Sequence, residues 1–233
     1  MKILPRSRDL LSQETITLIR HGPPAVSILQ RVQGHQFRQF IERYDAAKIC
    51  RRAQPPRLVQ QVVAGGDVVL TSHRPRAMHT AELLGASTLV TIDPRFREIE
   101  FPVDFPTRFP KRFQFSALTW TVMALALWRL GYGTRCESFA IAQQRAYAAV
   151  DLLEHQLKQP STERPLVEGP PGHWAQEPDL SGEIFIEPVK PRSIVLVAHG
   201  GINKLIAKEL RLRGWRGPRL PRSRHWGCTT YCR

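Results

Sequence analysis

Apolar residues cluster along this chain in short runs separated by longer stretches of helical spacing. Residues 15–19, 67–71, 88–92 and 192–198 are dominated by Val, Ile, Leu and Thr. Such near-continuous apolar runs are the pattern of strands covered on both faces. A fifth, less regular run at 227–231 is a further strand candidate. Between the runs the spacing changes to that of helices. Residues 37–47, 57–64, 75–84, 114–130, 137–158 and 202–212 are the helix candidates. The third opens on Pro75, where no amide donor is needed, and stops at Gly85. In the last, Ile202, Leu205, Ile206 and Leu210 form one stripe, with Lys204, Lys208 and Arg211 facing away. Strands alternating with helices predict parallel βαβ units. The expected fold is α/β, three layers with a central, mostly parallel sheet, in one domain over 1–233. Residues 101–115 and 159–191 fit neither period; the first follows a strand and could cover a site, and the second reads as an irregular surface excursion.

Length and composition are ordinary for a soluble globular protein: 233 residues, 42% hydrophobic and 23% charged. The charge changes the picture. A formal net charge of +14 predicts attraction to anions, whether phosphorylated metabolites, nucleic acid or acidic surfaces. No nucleic-acid fold signature accompanies the Arg-rich segment from Arg211 to Arg224, so it reads as a solvated basic face and nucleic acid is not the expected partner. The start of the chain lacks a sustained apolar core, and the apolar stretch 117–127 is too short for a bilayer, which needs about 20 residues. Neither a secretory signal nor a membrane span is expected. Four scattered cysteines without a CxxC pair fit reduced thiols and a cytoplasmic location.

The candidate chemistry lies where the strands end. The first runs into Arg20-His21-Gly22 and the fourth into His199-Gly200-Gly201. The second leads to Ser72 and Arg76, and the third to Glu98. Ligands of open α/β sheets bind outside the carboxyl ends of the strands, so one sheet edge can gather all of these groups. Phosphoryl transfer through histidine needs a neutral imidazole to attack phosphorus and cations to hold the non-bridging oxygens. It also needs an acid that protonates the leaving oxygen and then activates water. Each role has a candidate. Arg74 competes with Arg76, and Glu100 and Asp104 with Glu98; the resemblance described next favours Arg76 and Glu98.

These segments resemble the histidine phosphatase superfamily, first branch, with its phosphoglycerate mutase-like fold. The likeness rests on Arg20-His21-Gly22, on Ser72 with Arg76-Ala77-Met78-His79-Thr80-Ala81, and on Phe96-Arg97-Glu98. It continues through Glu137-Ser138 with Arg145 and ends on the apolar strand running into His199-Gly200-Gly201. In order, the matches span residue 15 to about residue 205. The resemblance implies a metal-independent phosphomonoesterase acting on a small phosphorylated substrate. His21 would be the phosphorylated nucleophile, Glu98 the proton donor, and Arg20, Arg76, His199 and the Gly200 amide the phosphate-binding groups. No metal or other cofactor is implied. Ser27 stands where many members have Asn, Pro23-Pro24 follow the RHG motif, and Pro102 replaces a Gly expected after the acid. These departures weaken the alternative of a phosphoglycerate-type mutase. A phosphate-binding scaffold without turnover is the alternative outside enzymes. The substrate and the oligomeric state are not encoded legibly.

Overall fold

The computed structural model describes residues 13–86, 90–104, 114–133, 135–159 and 193–233. In chain order these form β1 (Thr15–Arg20), β2 (Arg31–Gln33), α1 (Phe37–Ala46), α2 (Arg57–Ala64), β3 (Val68–Thr71) and α3 (Pro75–Leu83). There follow β4 (Val90–Ile92), β5 (Gln114–Ser116), α4 (Ala117–Arg129), α5 (Phe139–Lys158), β6 (Ser193–Ala198), α6 (Gly200–Leu212) and β7 (Cys228–Cys232). Most of 101–115 and nearly all of the 159–191 excursion lie outside the described residues.

Five strands form one sheet in the order β4-β3-β6-β1-β7. All neighbours are parallel except β7, which runs antiparallel to β1. Side chains alternate between the two faces of a strand, so each strand feeds two cores. Ile16, Leu18, Leu70, Ile194, Leu196 and Ala198 pack with α5 and α6 on one face. Ile19, Val69, Val195 and Val197 pack with α2 and α3 on the other. This is the three-layer arrangement that the apolar runs imply.

A third cluster stands beside the sheet. Val32, Phe37, Phe40, Ala117, Trp120 and Ala124 bring together β2, α1 and α4. Here the structure differs from the helix expected over 114–130: its first three residues, Gln114–Ser116, pair antiparallel with Arg31–Gln33 as a separate ribbon. Ser116 then caps α4, its hydroxyl accepting from the Thr119 amide at 3.1 Å. Apolar residues surround α4 because two of its faces meet protein-lined space. Ala117, Trp120 and Ala124 are buried, and Leu118, Leu125 and Trp128 line a cavity.

Candidate active site

Sheet register alone brings the two strand-end histidines together. Arg20 is paired with Ala198 across β1 and β6, so His21 and His199 leave the sheet side by side. Neighbouring strands are about 4.8 Å apart, and the two imidazole centroids are 5.2 Å apart. Thr71 pairs with Val197 on the next strand, which delivers Ser72 to His199: Nε2 lies 2.9 Å from the Ser72 hydroxyl.

His21 is almost completely buried, and its Nδ1 is 2.7 Å from the Gly22 carbonyl. A carbonyl only accepts, so Nδ1 carries the hydrogen and Nε2 keeps a lone pair. Burial, then the Arg76 charge, hold the imidazole well below its ordinary pKa. His199, fully buried, is lowered in the same way by burial and Arg76, with His21 contributing. Both rings are therefore held neutral. Gly22 is required at this strand end: a Cβ there would stand 2.4 Å from the Trp226 indole. Its amide donates to the Thr80 hydroxyl at 3.0 Å, which in turn donates to the Arg76 carbonyl.

Arg76 sits in the first turn of α3 behind Pro75 and is about 1% exposed. Its Nη1 donates to Asp45 Oδ1 at 3.0 Å and to the Tyr44 carbonyl at 3.3 Å, and the guanidinium lies over the Tyr44 ring. The C-terminal end of α1 thus anchors one edge of the cation. Arg20 is held from the C-terminal segment, where the Ser223 carbonyl accepts from its Nη1. The Nε atoms of Arg20 and Arg76, and Nδ1 of His199, are buried without a partner among the described residues.

Glu98 reaches the same place from the segment after β4. Its Oε1 accepts from the Ile99 and Ile202 amides, both at 3.0 Å, and its Oε2 from the Gly201 amide at 3.2 Å. The carboxyl group therefore caps α6. Gly201 permits the approach, since a Cβ there would stand 2.5 Å from Oε1. The segment itself is fixed by a buried pair. Arg145 donates to the Arg95 and Arg97 carbonyls at 2.8 Å and is ion-paired with Glu137. Glu137 also accepts from the Glu100 amide at 3.1 Å. The two alternative acids have other partners: Glu100 pairs with Arg97 and Asp104 with Arg38.

Arg20, His21, Arg74, Arg76, Glu98 and Gly200 line one cavity of about 1080 Å³. Arg74 belongs to it as well, paired with Asp45 at 3.3 Å. His199 stands behind His21 rather than on the cavity wall. Three contributors were not singled out by sequence: Asp45, His225 and Trp226. The His225 ring is 5.3 Å from that of His21, and its Nδ1 donates to the His21 carbonyl at 3.2 Å. Burial, then Arg20, lower its pKa. The Arg-rich segment is thus partly a wall of the site through Arg219 and Ser223, and its charge pattern carries no local signal of this.

No protein-family model and no curated protein sequence matches the chain. Solved structures do. The product of open reading frame Rv3214 of Mycobacterium tuberculosis is 17% identical, over 93% of this chain and 90% of its own, with a TM-score of 0.52. A phosphoglycerate mutase from Bacillus anthracis is 12% identical, over 95% and 88%, with a TM-score of 0.54. A phosphoserine phosphatase mutant from Entamoeba histolytica, solved with phosphoserine, is 14% identical, over 93% and 89%, with a TM-score of 0.51. Together with the sheet order and its flanking helices, these likenesses establish that the chain has the phosphoglycerate mutase-like fold.

Proposed function

We propose that the protein is a phosphomonoesterase of the histidine phosphatase type, working through a phosphohistidine on His21. The observation that carries this reading is the set of orphaned buried nitrogens around a neutral imidazole. Arg20 Nε and Arg76 Nε are donors with no acceptor among the described residues. Leaving such a group unsatisfied costs about 1–3 kcal/mol, and phosphoryl oxygens are the acceptors that two guanidiniums suit best.

The reaction follows from the tautomer. The Nε2 lone pair of His21 attacks phosphorus as the bond to the ester oxygen breaks. Arg20 and Arg76 hold the non-bridging oxygens, with the Gly200 amide as a further donor. His199 supports the cluster from behind His21. The leaving oxygen takes a proton from Glu98. Oε1 already accepts two amides and Oε2 only one, so Oε2 is the oxygen with room for that proton. The resulting carboxylate then takes a proton from water, which attacks the phosphohistidine and releases inorganic phosphate. Charge stabilisation comes from the guanidinium groups and a backbone amide, so a chelator is expected to leave the rate unchanged.

The test is hydrolysis of an aryl phosphate in excess chelator by the wild-type and Arg76→Ala proteins. The wild type turns over, and Arg76→Ala loses about 10²–10³-fold in kcat. Equal rates in the two proteins, or complete loss in chelator, would reject the mechanism.

A further inference from the structure

The cavity is far larger than a phosphoryl group. Its volume of about 1080 Å³ matches the upper end of clefts that hold drug-sized ligands, about 300–1,000 Å³. Beyond the histidines one wall is apolar, formed by Leu118, Leu125 and Trp128 of α4 with Phe101. Another is α6. Its first residues, Gly200 and Gly201, border the reacting centre, and Lys204, Lys208 and Arg211 line the same cavity farther along. At a rise of about 1.5 Å per residue, these three stand about 6, 12 and 16 Å from Gly200 along the helix axis. Their phases place them within about 60° of one another. All three are exposed, and none has a carboxylate within 4.0 Å among the described residues. Acids on this part of the molecule pair elsewhere: Glu209, Asp151 and Glu154 all go to Arg213. A merely solvated helix face needs no apolar wall beside it and no opening onto the nucleophile.

We propose that the substrate is an elongated phosphomonoester with an apolar body and a second anionic group. The phosphoryl group sits at His21, the body lies against α4, and the distal anion is held by Lys204, Lys208 and Arg211. This deepens the phosphatase reading and rests on it for the place of the phosphoryl group.

Three aryl esters test it: phenyl phosphate, a para-alkyl derivative whose chain ends in a carboxylate about 10–15 Å from phosphorus, and the chain-matched carboxamide. The amide is expected to exceed phenyl phosphate in kcat/KM, and the carboxylate to exceed the amide by about tenfold at low salt. In the Lys204→Glu/Lys208→Glu protein the carboxylate-to-amide ratio falls to one or below. A ratio near one in the wild type, or one unchanged by charge reversal, overturns the proposal. Binding of the corresponding phosphonates, which do not turn over, is measured by calorimetry on the same proteins. Charge-dependent phosphonate binding without hydrolysis of any ester would reject the phosphatase reading and support the distal anion site. Equal binding of the two long phosphonates overturns the distal site whatever the turnover.

Discussion

His21 spends its Nδ1 hydrogen on the Gly22 carbonyl, so the nitrogen left for chemistry is the one without a proton. Burial and the neighbouring guanidiniums keep it that way by depressing the pKa of both His21 and His199. The linkage has a definite sign. In the unfolded chain each imidazole takes up a proton near its ordinary pKa of about 6.5, whereas in the folded protein it does not. The contribution to stability is therefore complete above that value and is lost as pH falls below it. Each group steepens the decline by at most about 1.4 kcal/mol per pH unit. Thermal unfolding between pH 7 and 5 checks this. His21→Asn and His199→Asn should each flatten the acid limb by about one proton's worth, and slopes equal to wild type would show that the rings titrate freely in the fold.

At the scale of elements, the acid is placed by a helix that borders the phosphoryl site and by an ion pair that stands outside it. The Arg145–Glu137 pair holds the backbone on both sides of Arg97, and α6 receives the Glu98 carboxylate. Removing one member of a buried pair leaves the other poorly compensated. Arg145→Met should cost about 3 kcal/mol in urea unfolding and lower kcat. The double change Arg145→Met/Glu137→Leu should recover stability without recovering kcat. A double variant no more stable than the single one would mean that the pair does not carry the cost.

Elements also show what the sequence could tell. The central strands, and the histidines at the ends of β1 and β6, were legible because an apolar run followed by a polar residue and glycine is a local signal. The ribbon of β2 and β5 was not, since each member is three residues long and exists only through its partner. Asp45, His225 and Trp226 were missed for a similar reason. They reach the site from the end of α1 and from the loop before β7, by packing across long sequence separations. The Arg-rich run looked like a solvated face because charge patterning does not reveal that Arg219 lines the cavity or that Ser223 holds Arg20.

Over the whole molecule, the sheet edge, the cavity and the surplus of positive charge point the same way. The +14 balance raises the local concentration of anions, and the strand ends gather cations and the His21 imidazole at one cavity. The α4 and α6 walls extend that cavity beyond the reacting centre. What depends on every level at once is the identity of the nucleophile. Rapid quenching of the enzyme with an aryl phosphate under alkaline conditions, followed by peptide mass mapping, reads it directly. The prediction is one acid-labile phosphoryl group on His21, absent from the His21→Ala protein. A phosphoryl group on any other residue, or one that persists after that replacement, would contradict the account.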